Sequence, residues 1–188
     1  MNTIINPVMN EIEIKKSKFI TYLIKLDNVE EVEIKLNEIK KEYKDANHYC
    51  YAYIIQNKEK ASDNGEPSGT AGVPILNVLK KNNLSNILCV VIRYFGGIKL
   101  GAGGLVRAYS NSCSEAIKCT NIIKYVPILK IKIVFKYENL NTINNLLIDT
   151  NITYKEFDTS ITYEVILSKD KYDNIINELN NYAIVTNL

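Results

Sequence analysis

Glycine is missing from most of this chain: all eight copies fall between Gly65 and Gly104. No apolar run approaches the roughly 18 residues that a membrane-spanning helix needs. The opening residues carry no basic-then-apolar leader, so the protein is expected in the cytoplasm with no membrane partner. Its four cysteines, Cys50, Cys89, Cys113 and Cys119, form no C-x-x-C pair and sit in apolar or helical settings. That pattern argues against a disulfide framework or a zinc site and fits a reducing compartment, and no metal or cofactor is expected. Charge of one sign is scarce too, because the net charge is +2, too little to advertise a nucleic-acid binder by itself. Residues 1–124 nonetheless hold 17 Lys+Arg against 13 Asp+Glu, and residues 125–188 hold 6 against 8. A polyanion would prefer the first part.

What is present suffices for a packed core, with 46% hydrophobic residues in 188. Alternation predicts two strands within 11–26, joined by the basic turn Lys15-Lys16-Ser17-Lys18. Asn28 then caps an amphipathic helix running to about residue 44, with Val29, Val32, Leu36 and Ile39 at helical spacing. Residues 48–55 read as a strand, with His48, Cys50, Ala52 and Ile54 on one face and Tyr49, Tyr51, Tyr53 and Ile55 on the other. A short helix starting near Pro74 ends near residue 82. The apolar run 87–92 reads as a central strand covered on both faces, and a helix over 104–118 follows. A boundary near Tyr125-Val126-Pro127 divides a domain at 1–124 from one at 125–188. Beyond it the order strand, helix, strand, strand, helix, strand is the βαββαβ series of a ferredoxin-like sandwich.

The glycines define two shaped loops delivered by strand ends. The first is Ser62-Asp63-Asn64-Gly65-Glu66-Pro67-Ser68-Gly69-Thr70-Ala71-Gly72. The second runs from Arg93-Tyr94-Phe95-Gly96-Gly97 through Lys99-Leu100-Gly101-Ala102-Gly103-Gly104 to Arg107. Glycines before a helix N-terminus expose amide N–H groups to an anion at the positive end of the helix dipole, with Arg93, Lys99 and Arg107 adding charge. This is not a nucleotide signature: Ala102 stands where a Walker lysine belongs, and G-x-G-x-x-G fails at Val106. Two readings stay open, contact with a phosphodiester backbone through Gly101, Gly103 and Gly104 and the three cations, or glycines serving tight turns alone. Arg93 has a further alternative, a buried ion pair with Glu66 or Asp63. Asp63 and Glu66 suit acid–base chemistry or, more simply, capping of backbone amides. Ser68, His48 and Asp63 make a nominal Ser-His-Asp set, but Gly65-Glu66-Pro67-Ser68-Gly69 is not the G-x-S-x-G elbow. The tyrosines of the histidine strand are either a stacking platform for bases or a face packed on the preceding helix. Tyr94 and Phe95, at a strand exit, are candidates for stacking in the loop.

Both loops resemble the signature of the YigZ/IMPACT family, D-N/D-G-E-P-S-G-T-A-G followed by R-Y-F/Y-G-G-x-x-L-G-x-G-G-L-V-R-A-Y. Lys16-Ser17-Lys18-Phe19-Ile20 and the strand with His48, Cys50, Ala52 and Tyr53 are similar as well. The resemblance implies an α+β fold of two domains. The N-terminal one would be ribosomal-protein-S5-domain-2-like, as in domain IV of elongation factor G, and the C-terminal one ferredoxin-like, as in domain V of that factor. It implies a role in translation control, with eukaryotic relatives competing for the scaffold of a general-control kinase and bacterial ones suspected of binding RNA or ribosomes. It carries over no catalytic residue. The signature loop here comprises Asp63, Gly65, Glu66, Pro67, Ser68, Gly69, Thr70 and Gly72. Two positions depart from the family pattern: Ile54 stands where an arginine is usual and Tyr51 where tryptophan is common. The leading expectation is a translation regulator that touches RNA or a ribosomal particle through the basic glycine loops. A protein-interaction regulator bound to a scaffold is the second, and a hydrolase the third.

Overall fold

A computed structural model describes all 188 residues as two compact units, Met1–Tyr125 and Val126–Leu188. The division falls after Tyr125, whose N–H donates to the Met1 carbonyl at 3.0 Å and whose hydroxyl accepts from Asn86 at 2.8 Å.

The first unit contains β1 (Asn2–Ile4), β2 (Val8–Ile14), β3 (Ser17–Lys25), α1 (Glu30–Glu42), β4 (His48–Ile55), β5 (Lys58–Ser62), α2 (Gly72–Lys81), β6 (Ile87–Tyr94), α3 (Ala102–Lys118) and β7 (Ile122–Lys124). Five strands form an antiparallel sheet in the order β2-β3-β6-β4-β5. Its centre is β6, whose residues from Ile87 to Arg93 are buried because helices cover both faces, as the continuous apolar run predicts. On one face α1 sets Val32, Leu36 and Ile39 against Ile20, Tyr53, Val90 and Ile92. On the other, α2 and α3 bring Ile75, Leu79, Leu105, Tyr109 and Cys113 onto Phe19, Leu23, Cys50, Ala52, Cys89 and Val91. The alternation expected of β4 places its tyrosines on the α1 side.

Several elements differ from expectation for local reasons. The basic turn shrinks to Lys15-Lys16, both at positive φ of 48° and 63°, because Ser17 and Lys18 pair into the ladder opposite Ile14 and Glu13. Asn28 does not cap α1: the N-cap is Val29, and the Asn28 N–H instead donates to the Glu31 carboxylate at 3.2 Å. β5 lacks the apolar alternation that announces a strand, and its sequence Lys-Glu-Lys-Ala-Ser suits an exposed sheet edge. β1 and β7 form a separate two-stranded ladder, with β1 also bridged at Asn2 to Leu84, and this contact between opposite ends of the unit is one that no local pattern reveals.

The second unit runs β8 (Ile128–Phe135), a short 3-10 turn, α4 (Leu140–Leu146), β9 (Asn151–Phe157), β10 (Ile161–Ser168), α5 (Lys169–Tyr182) and β11 (Ala183–Asn187). Its antiparallel sheet has the order β11-β8-β10-β9, the ferredoxin-like arrangement. Helices α4 and α5 cover the face carrying Ile131, Ile133, Tyr163 and Val165. The chain is therefore an α+β protein in both units.

Candidate functional site

The first glycine loop is folded around Asp63. Its Oδ2 accepts the Gly69 N–H at 2.8 Å, and its Oδ1 accepts those of Ala71 and Gly72 at 2.9 and 2.8 Å. Because Ala71 and Gly72 open α2, the carboxylate supplies from the far end of the loop the cap that the helix lacks locally. Burial pushes the Asp63 carboxyl up, but the three amides outweigh it and hold it below its usual range. Gly72 is required by close approach: a Cβ there would stand 2.5 Å from the Ser62 backbone nitrogen. Asn64 tethers the loop to β4, its Oδ1 accepting the Tyr49 N–H at 2.8 Å. Thr70 closes the loop on itself through the Pro67 carbonyl at 2.6 Å.

Beneath this loop lies a sealed polar cluster. Glu66 Oε1 accepts from Arg93 Nη1 at 2.5 Å and from the Tyr109 hydroxyl at 2.8 Å, and the ion-paired side chains are 4% and 6% exposed. Arg93 also reaches Ser17 Oγ at 3.4 Å, and its guanidinium lies over the rings of Phe19 and Phe95. The Cys50 thiol donates to the Asp63 carbonyl at 2.9 Å, and burial pushes it up to about 12, so it stays protonated. Burial, with Cys50 and Glu66 beside it, likewise keeps the Tyr109 hydroxyl neutral.

Arg93 must accordingly be withdrawn from the anion-binding set. Its charge is spent on Glu66, and of its two alternatives the buried pair is realised. Tyr94 is withdrawn from loop stacking, because it packs into the α1-side core. The nominal Ser68-His48-Asp63 set is not assembled. His48 Nδ1 faces the Asn64 carbonyl at 3.0 Å and Nε2 faces Glu66 at 3.9 Å, while both Asp63 oxygens are engaged by backbone amides. Ser68 is exposed on the loop. The β4 tyrosines pack against α1 at Tyr53, with Tyr49 and Tyr51 partly covered.

The second loop begins where β6 meets the β2–β3 turn. Gly96 sits so close to it that a Cβ would stand 2.0 Å from the Lys16 carbonyl, and its N–H donates to Ser17 at 3.2 Å. Gly101 has φ of 70° and ψ of 165°, a conformation essentially restricted to glycine, and turns the chain into α3. The first turn of α3 has no acidic residue. Beside it an open groove of about 610 Å³ runs between the β2–β3 turn and α3, lined by Ile14, Lys15, Leu100, Gly104, Arg107 and Asn111 among others. Arg107 is exposed and folds back toward Gly103. Lys99 is exposed on the loop but does not line the groove. The structure thus brings Arg107 and Gly104 together with Lys15, which the sequence had placed only in a turn. Tyr109 and Ser17, missed as parts of the signature cluster, lie within the R-A-Y and K-S-K segments.

The fold and site define a two-unit α+β protein whose two glycine loops are tied together by the Glu66–Arg93 pair. The Impact N-terminal domain model matches residues 15–117. IMPACT family member YvyE of Bacillus subtilis (strain 168) is 42% identical over 158 residues, 82% of this chain and 73% of its own length. IMPACT family member YigZ of Escherichia coli (strain K12) is 35% identical over 172 residues, 88% of this chain and 84% of its own. Among solved structures, the crystal structure of a hypothetical protein superposes with a TM-score of 0.73 and 30% identity, covering 100% of this chain and 96% of that one. The chain belongs to the IMPACT family.

Proposed function

We propose that this protein is a cytosolic regulator associated with translation that holds RNA or a ribosomal component in the groove between the β2–β3 turn and α3. The observation that carries this reading is the convergence of Lys15 and Arg107, from segments far apart in sequence, on one open groove beside a helix N-terminus. Neither cation has an internal ion partner. Lysine also occupies both positions of a tight turn where positive φ favours Asn or Gly, so the turn keeps its charge at a conformational cost. The translation setting rests on what the family resemblance implies. No helix is long and apolar enough to cross a membrane.

The test is salt-dependent association of the full chain with single-stranded RNA and with ribosomal particles. Binding should fall linearly in a log–log plot against salt, and Arg107→Glu or Lys15→Glu should weaken it across sequences. Absence of association at low salt would overturn the reading.

A second reading, a regulator that clasps a protein scaffold, is favoured by Val73, Phe95, Ile98 and Val106, which expose large apolar side chains on and beside the same loops. A partner retained after nuclease treatment and lost in Phe95→Ala would support it.

A further inference from the structure

The opposite face of the sheet holds a second cleft, of about 380 Å³, between α1 and the β4–β5 hairpin. We propose that it binds a nucleoside monophosphate moiety, with the ring against Tyr51 and the phosphate between Lys40 and Lys60. This inference does not depend on the groove beside α3. It starts from a difference among four of the five tyrosines on one sheet face, the fifth, Tyr94, lying outside the cleft lining. The hydroxyls of Tyr22 and Tyr49 are satisfied internally, Tyr22 with Tyr43 at 2.8 Å and Tyr49 with the Tyr43 carbonyl. Those of Tyr51 and Tyr53 make no hydrogen bond to the protein, although Tyr53 is only 8% exposed. The Tyr53 oxygen is nevertheless not sealed, since Arg93 Nε is the one buried side-chain polar atom without a partner. Tyr51 and Tyr53 both line the cleft, and their hydroxyls are not committed to protein partners, so they are available to a polar ligand.

The cleft also has the charge and size for such a ligand. Lys40 from α1 and Lys60 from β5 line it from opposite walls, and neither has an ion partner. Asn37 and Ser62 add neutral hydrogen-bonding groups, while Val32 and Leu36 give the α1 wall an apolar floor. Glu33 is the single acid in the lining, and it would repel a phosphate placed at its end, which puts the anion at the lysines. The volume falls within the roughly 300–1,000 Å³ of small-molecule sites. An aromatic wall combined with two ammonium groups matches a base joined to a phosphate, either in a free mononucleotide or at the end of an RNA chain.

The experiment is a titration of the ¹⁵N-labelled full chain with AMP, UMP, inorganic phosphate and a short 5′-phosphorylated RNA, following backbone amide shifts. The expected result is saturable shifts of Tyr51, Tyr53 and Lys60 with a mononucleotide, weakened about tenfold by Lys40→Glu or Lys60→Glu and left intact by Lys44→Glu outside the cleft. Tyr51→Leu should remove the advantage of a nucleotide over phosphate, and Tyr51→Phe should retain most of it. Tighter binding of the RNA than of the mononucleotide assigns the site to a chain end, and the reverse assigns it to the free nucleotide. Shifts equal with phosphate alone, equal weakening by Lys44→Glu, or shifts confined to Lys15 and Arg107 would each overturn the proposal.

Discussion

Glu66 and Arg93 meet at 2.5 Å in a site where both side chains are almost sealed from water. The same carboxylate oxygen takes the Tyr109 hydroxyl, so one acid ties the first glycine loop to the central strand and to α3. Burial of such a pair adds little net stability, but removing one partner strands a charge in the interior. Glu66→Gln and Arg93→Ala should each destabilise by about 3–5 kcal/mol. The double variant Glu66→Gln with Arg93→Ala should cost clearly less than the sum of the two single changes, as chemical denaturation of the four proteins will show.

Two glycines of the second loop should respond oppositely to alanine. Gly96→Ala puts a Cβ where the Lys16 carbonyl lies, 2.0 Å away, so the turn must move and stability should fall by about 1–3 kcal/mol or more. Gly103, inside α3, has only the Arg107 side chain near, at 3.8 Å. Gly103→Ala should therefore stabilise by about 0.5–1 kcal/mol through helix propensity. If RNA approaches the backbone there, the stabilised variant will bind it more weakly than the parent, a split that thermal melting and a binding titration read separately.

Asp63 gives the fold an acid-sensitive joint. A carboxyl held below its ordinary range by three amides contributes stability that is complete above its unfolded pKa of about 3.9 and is lost as pH falls toward the folded value. Asp63→Asn should be less stable at neutral pH, since one of its amide hydrogens must face a backbone N–H. Its urea midpoint should also change less than the parent's between pH 5 and the acid limit. A parallel decline of both proteins would remove Asp63 as the cause.

Thiol labelling offers a test of the core. Cys119 is exposed, whereas Cys50, Cys89 and Cys113 are buried. One thiol should react rapidly with an alkylating reagent and three only on unfolding. Fast loss of a second thiol would mean that the loop over Cys50 opens in the native state.

Much of the fold was legible from periodicity. The buried run of β6, the two faces of β4, the amphipathic α1 and the βαββαβ order of the second unit all follow from apolar spacing that one face of an element imposes on its own residues. The polar edge strand β5 and the β1–β7 pair were not, because nothing local distinguishes them from loops. The site divides the same way. Eight glycines crowded into one stretch, with the motif around them, located the loops and implied the family. Which charges face solvent was decided only by tertiary structure: Arg93 lies opposite Glu66 and turns inward, while Lys15 lines one groove with Arg107. Burial and pairing depend on neighbours distant in sequence, so a lone chain of letters carries the cations but not the direction in which they point.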